Sequence, residues 1–169
     1  MTEQTPWLLI DVGNTAIKWR LAHAEGLLGA GGSVSDVSSL CQAIEAERWG
    51  IAGLASVASD SADAELIAAL TASGVRAVHC ATAQSTCLGL VSSYAEPELM
   101  GVDRWLAMLA AHAHNEGALC VIDAGTAVTV DLVSAEGAHE GGYILPGADL
   151  MRRALSSETD RIEVGALEA

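Results

Sequence analysis

Two segments far apart in this chain carry one pattern: an apolar run closed by aspartate, then glycine, then threonine, then an alternating run. The first copy is Ile10-Asp11-Val12-Gly13-Asn14-Thr15-Ala16-Ile17-Lys18-Trp19-Arg20-Leu21. The second is Ile122-Asp123-Ala124-Gly125-Thr126-Ala127-Val128-Thr129-Val130-Asp131-Leu132, which lacks only an equivalent of Asn14. Trp7-Leu8-Leu9-Ile10 is short and bulky enough for a buried strand. Ile17, Trp19 and Leu21 alternate with Lys18, Arg20 and Ala22, as in a half-buried strand. Each copy therefore predicts a strand, a polar turn and a second strand. One such turn is explained by the ordinary preference of Asp, Gly and Asn for turns. Unrelated turns would not repeat the flanking strands as well. Two related lobes are expected, with both polar tips facing a shared cleft.

The tips suit anion chemistry. Gly13 lets backbone approach a ligand, and successive backbone N–H groups in such a turn can receive phosphate oxygens. Lys18 is the single lysine of the chain. Thr15 and Thr126 offer hydroxyls either to a phosphate or to their own turns. Asp11 and Asp123 are hard oxygen donors of the kind that hold Mg2+, directly or through water. Asp103 falls in the first turn of a predicted helix, where the helix dipole keeps it ionised, as a base for a hydroxyl must be. Arg104 beside it can grip a carboxylate with its bidentate fork.

Other chemistries lack their marks. There is no Walker A pattern and no serine in a nucleophile elbow. His112 and His114 are two residues apart on a helix and cannot share a metal, and His139-Glu140 lacks the second histidine of a zinc-protease motif. The net charge of −14 argues against nucleic acid or an anionic membrane as partner. Cys41, Cys80, Cys87 and Cys120 form no C-x-x-C pair and read as reduced structural cysteines. No basic, apolar leader precedes Trp7, and no apolar run is long enough to span a bilayer, so a cytoplasmic protein is expected.

Between the repeats the pattern alternates strand and helix, which predicts an α/β layer arrangement. A Gly-rich stretch at Gly26–Ser33 reads as a third strand. Asp36–Trp49 reads as a helix with Asp36 as N-cap and Val37, Leu40, Cys41, Ala43 and Ile44 inward. Ile51–Val57 and Val75–Cys80 read as strands, and Asp60–Ser73 as a helix closed by Gly74. Thr82–Met100 reads as irregular surface. Gly101–Asn115 is the clearest helix, with Val102, Trp105, Leu106, Leu109 and Ala113 on one face. A strand near Gly142–Leu145 and a helix at Asp149–Ser156 follow, and no strong periodicity lies beyond Arg161.

Paired Asp-x-Gly hairpins resemble the actin, sugar-kinase and heat-shock-chaperone superfamily, and the finer match is to the type III pantothenate kinase family. Asp11–Lys18 is similar to that family's first phosphate motif, and Tyr94-Ala95-Glu96-Pro97-Glu98-Leu99-Met100-Gly101-Val102-Asp103-Arg104-Trp105 to its substrate segment. Asp123–Thr129 is similar to its second phosphate motif, and Gly141-Gly142-Tyr143-Ile144-Leu145-Pro146-Gly147 to a further segment. The resemblance implies a ribonuclease H-like, actin-like ATPase fold, with a first lobe over 1–100 and the first part of a second lobe over 101–169. It implies ATP-dependent phosphorylation of pantothenate, the first step towards coenzyme A. Asp11, Gly13, Asn14, Thr15, Lys18 and Thr126 would bind ATP, with Asp11 near Mg2+. Asp103 would be the general base; Tyr94, Gly101, Val102, Asp103 and Arg104 would form the pantothenate pocket. Asp123 would bind a monovalent cation, potassium or ammonium. A homodimer is implied. Family members continue beyond the region matching Arg161, so an incomplete second lobe is expected. A non-catalytic accessory or regulatory relative is the alternative reading.

Overall fold

The structure is a computed structural model that describes residues 6–23, 26, 28–44 and 50–158. The chain divides into two compact units. One takes the chain up to Ala83 together with Glu98–Asp103; the other takes Gln84–Pro97 and the chain from Arg104 onward.

The first unit runs β1 (Trp7–Val12), β2 (Ile17–Ala22), β3 (Leu28–Val34), α1 (Val37–Ile44), β4 (Ile51–Ser56), α2 (Asp60–Ala72) and β5 (Ala77–Cys80). Its sheet has the order β3-β2-β1-β4-β5, with β1, β2 and β3 antiparallel and β1, β4 and β5 parallel. This is the order of a ribonuclease H-like sheet. The alternation read from the sequence places Leu8, Ile10, Ile17, Leu21, Ala52 and Leu54 on one face. There they bury against Leu40 and Ile44 of α1 and Leu66 and Leu70 of α2. Burying each of these leucines and isoleucines contributes about 1.5–3 kcal/mol relative to leaving it in water. Trp7 and Leu9, on the opposite face, stay partly exposed.

Local signals set the helix ends. Asp36 caps α1: its Oδ1 accepts the Ser39 N–H at 2.8 Å and its carbonyl accepts the Leu40 N–H at 3.1 Å. Ser59 caps α2, and Gly74, with φ of +98°, lets the chain leave it in the left-handed conformation. Ala43 is exposed rather than inward, and the expected extension of α1 over 45–49 lies outside the described residues. So do the N-terminal residues 1–5 and the segment beyond Glu158.

The second unit contains the short strands β6 (Thr86–Cys87) and β7 (Leu90–Val91), then most of α3 (Val102–His114). It continues with β8 (Leu119–Ala124), β9 (Ala127–Val133), β10 (His139–Pro146) and α4 (Ala148–Glu158). β6 and β7 correct the reading of 82–100 as wholly irregular. They pair across Leu88 and Gly89, both at positive φ, and are too short to leave a periodic trace. β10, β9 and β8 form an antiparallel sheet. The buried face of α3 also differs from expectation. Trp105, Met108 and Arg104 are buried, while Leu106 and Ala113 are exposed. An arginine holding a buried partner outweighed the apolar count along that helix.

The four cysteines are unpaired. None lies in a core: Cys80 and Cys120 are exposed and Cys41 and Cys87 half-buried, which corrects their reading as structural. No helix among the described residues is long and apolar enough to cross a membrane.

Candidate functional site

The two hairpins reproduce the sequence repeat in their hydrogen-bond register. In the first, Val12 pairs with Ile17 and Asp11 with Lys18. In the second, Ala124 pairs with Val128 and Asp123 with Thr129. The second loop is one residue shorter, which is the missing equivalent of Asn14. Each tip is closed through its glycine. The Gly13 N–H donates to the Ala16 carbonyl at 3.1 Å, and the Gly125 N–H to the Ala127 carbonyl at 2.9 Å.

At the first tip Gly13, Asn14 and Thr15 are exposed. Lys18 Nζ lies 3.9 Å from Asp11 Oδ2, with both side chains about half exposed or more. An exposed pair at that distance contributes little to stability, so the ammonium can turn to an anionic ligand at small cost. A cleft of about 480 Å3 opens beside this tip, bounded by the start of α1 and one side of α2. Asp36, Asp63 and Glu65 line it, so a bare phosphate would be repelled from that side.

At the second tip Asp123 and Thr126 are exposed. Gly147 packs directly on this tip, donating its N–H to the Thr126 carbonyl at 2.9 Å. A Cβ at Gly147 would collide with the carbonyls of Gly125 and Thr126. The Pro146-Gly147 pair thus holds β10 against the tip.

Asp103 and Arg104 diverge at the start of α3. Asp103 is exposed in the first turn. Arg104 is buried, and its fork is already filled. Nε donates to Asp131 Oδ2 at 3.0 Å and Nη2 to Asp131 Oδ1, while Nη1 donates to the Tyr94 hydroxyl at 3.3 Å. The Asp131 hydrogen bonds hold the guanidinium's pKa well above its ordinary value, against the opposing effect of burial. The carboxylate expected in the Arg104 fork is therefore internal. His139 joins the same aspartate, its Nε2 3.0 Å from Asp131 Oδ1 and its Nδ1 2.9 Å from Ser93 Oγ. The Tyr94 and His139 rings stack at 6.3 Å with 11° between planes.

Sequence reasoning missed Asp131 and His139 as partners of Tyr94 and Arg104. The available signal was Asp131 itself, the one charged residue in the run Ala127-Val128-Thr129-Val130-Asp131-Leu132-Val133. A lone carboxylate on a buried strand face implies a buried cation. Asp131 faces its partners by the alternation of β9, and a bulge at Glu140 shifts the register of β10 beside it. The shift sets Gly142 opposite Asp131, where a Cβ would lie 2.7 Å from Arg104 Nη2. Only glycine leaves room for the guanidinium.

No group of three or more His, Cys, Asp or Glu side chains converges on a metal site among the described residues. Carboxylates that do not cluster with further ligands, as the half-buried Asp11 and the exposed Asp123, suit cations that keep most of their shell as water and ligand phosphate.

A profile of the type III pantothenate kinase family matches residues 7–168. A type III pantothenate kinase of Marinobacter nauticus is 43% identical over 164 residues, covering 92% of this chain and 64% of the relative. That of Azotobacter vinelandii is 37% identical, covering 95% and 65%. The chain thus spans 64% to 65% of the length of these curated relatives. Among solved structures, a Campylobacter jejuni protein described as of the Baf transcriptional activator family aligns with a TM-score of 0.58 and 18% identity, over 96% of this chain and 68% of that one. A 2-dehydro-3-deoxygalactonokinase protein of Sinorhizobium meliloti aligns with a TM-score of 0.54 and 11% identity, over 92% and 57%. These two likenesses concern the fold, which is the actin-like ATPase fold. With its two Asp-x-Gly hairpins, its Gly-Val-Asp-Arg helix start and a family match over residues 7–168, the chain belongs to the type III pantothenate kinase family.

Proposed function

We propose that the protein, at its whole length, transfers the γ-phosphoryl group of ATP to the primary hydroxyl of pantothenate, the first step towards coenzyme A. Family membership supports this reading, and one observation carries it at residue level. Asp103 is exposed at the start of α3 while its neighbour Arg104 is buried and held in place.

In the reaction, Asp103 accepts the hydroxyl proton, the hydroxyl oxygen bonds to the γ-phosphorus, and the bond to the β-phosphate oxygen breaks to release ADP. Phosphoryl transfer needs alignment and charge neutralisation more than covalent chemistry. Gly13, Asn14, Thr15 and Lys18 of the first tip and Thr126 of the second receive ATP phosphates, with Asp11 beside Mg2+ and Asp123 holding potassium or ammonium. These cations neutralise phosphate charge when bound. Tyr94, Gly101, Val102 and Asp103 line the pantothenate pocket, and Arg104 serves it by holding the Tyr94 hydroxyl. We assign the two compact units to the two lobes, in place of the simple division at 100 and 101 expected from the sequence, and expect a cytoplasmic homodimer that binds no nucleic acid. A non-catalytic accessory role has no residue-level support, since the likeness to the Campylobacter jejuni protein is one of fold.

Asp103→Asn is the test. A positioned general base is worth about 100- to 10,000-fold in rate. The variant should lose activity in that range while its melting temperature stays within a few degrees of wild type, since asparagine keeps the shape of the side chain and a hydrogen-bonding oxygen. Undiminished turnover would remove Asp103 from the mechanism.

A further inference from the structure

We infer that His139 is a positioning residue for the pantothenate pocket, acting on Tyr94 directly and on Arg104 through Asp131; this rests on the pocket proposed above. The His139 side chain is fully buried and meets polar groups at both ring nitrogens. An ionised Asp131 can only accept, so Nε2 carries a hydrogen and Nδ1 faces the Ser93 hydroxyl. The imidazole face supports the Tyr94 ring, and its Nδ1 meets the hydroxyl of Ser93, the residue preceding that tyrosine. Arg104 Nη1 reaches the other end of the same side chain, at its hydroxyl. Tyr94 is thus held from its face and from its tip, by two partners that meet on Asp131. Its hydroxyl accepts from Arg104 and has its own hydrogen to donate. That suits a ligand acceptor, and pantothenate offers an amide carbonyl and a carboxylate.

Other uses of the cluster fit less well. Ser93, His139 and Asp131 are connected in the order of a hydrolytic triad, but both Asp131 oxygens serve Arg104. A carboxylate already neutralised in that way gives little support to an imidazolium. The ring is fully buried with both nitrogens engaged by Asp131 and Ser93, so His139 is no base for the transfer itself. A leucine would fill the same space without either polar contact. A glutamine keeps one donor for Asp131 and one acceptor for Ser93.

The experiment compares wild type, His139→Leu, His139→Gln, Ser93→Ala, Tyr94→Ala and the His139→Leu/Tyr94→Ala double variant, at natural length. Pantothenate and Mg-ATP affinities come from titration calorimetry and the Tyr94 ring resonances from NMR. The resonances lost in Tyr94→Ala identify the ring. His139→Leu should weaken pantothenate about tenfold or more, leave Mg-ATP unchanged and shift the Tyr94 ring resonances, and His139→Gln should restore most of the loss. In the Tyr94→Ala background the same change should matter less than about twofold, because contacting residues are not additive. Additive losses, or Tyr94 resonances that do not move, would overturn the positioning role. Wild type that binds no pantothenate, while His139→Leu still moves those resonances, would instead remove the pocket reading and leave the positioning intact. Should His139→Leu fail to fold, His139→Gln and Ser93→Ala carry the same comparison: Ser93→Ala must shift the resonances and His139→Gln must not.

Discussion

Neighbouring residues on a helix point about 100° apart, and Asp103 and Arg104 use that divergence. The aspartate is exposed; the adjacent guanidinium is buried on Asp131. The pair was legible in sequence as two charged residues at a helix start, but not which of them the fold would bury. Buried ion pairs add little net stability over an apolar replacement, yet removing one partner strands the other charge. Asp131→Ala should therefore destabilise the protein by about 3–5 kcal/mol, read as a lowered urea midpoint with an unchanged slope. A change below about 1 kcal/mol would mean that water reaches Arg104. Arg104 stays charged across the accessible pH range, since Asp131 holds its pKa above the ordinary value.

At the scale of elements, the hairpin repeat carried the most information, because its period, turn residues and register all agree. α1 was legible for a similar reason. Asp36 is a strong N-cap, and the Ser39 backbone N–H, then the Ser35 and Ser39 hydroxyls, hold its carboxyl below 3.8. Its folded pKa is lower than its unfolded one, so its contribution is complete above 3.8 and fades as pH falls through the lower folded value. A carbon-detected NMR titration should place the Asp36 midpoint below 3.8, and Asp36→Asn should remove that acid-side change while keeping the helix. A midpoint at or above 3.8 contradicts the capping geometry. β6, β7 and the bulge at Glu140 were not legible. Two-residue strands have no periodicity, and the bulge shows itself only in which residue it sets opposite Asp131, here Gly142.

For the whole molecule, the contrast lies between two sheets. The five-stranded sheet has a face closed by α1 and α2. In the three-stranded sheet, cross-strand register aligns Ile122 with Val130 and Tyr143, and Cys120 with Leu132. Ile122 is 63% exposed, Tyr143 72% and Leu132 43%. A contiguous apolar sheet face in water is a site of association. This 169-residue chain should self-associate with rising concentration in sedimentation velocity and bind an apolar dye. Ile122→Lys should reduce both. A concentration-independent monomer that binds no dye would show that the face is covered.

The sequence by itself determined the hairpin repeat, the strand and helix alternation of the first unit and the chemistry of the tips. These follow from period, turn preference and residue type, which act over a few neighbours. Only the tertiary structure decided where Arg104 spends its fork, that Asp131 and His139 stand behind Tyr94, and which apolar faces remain open. Those outcomes depend on partners 27 and 8 residues away in the chain, brought together by packing and by a bulge with no local signature.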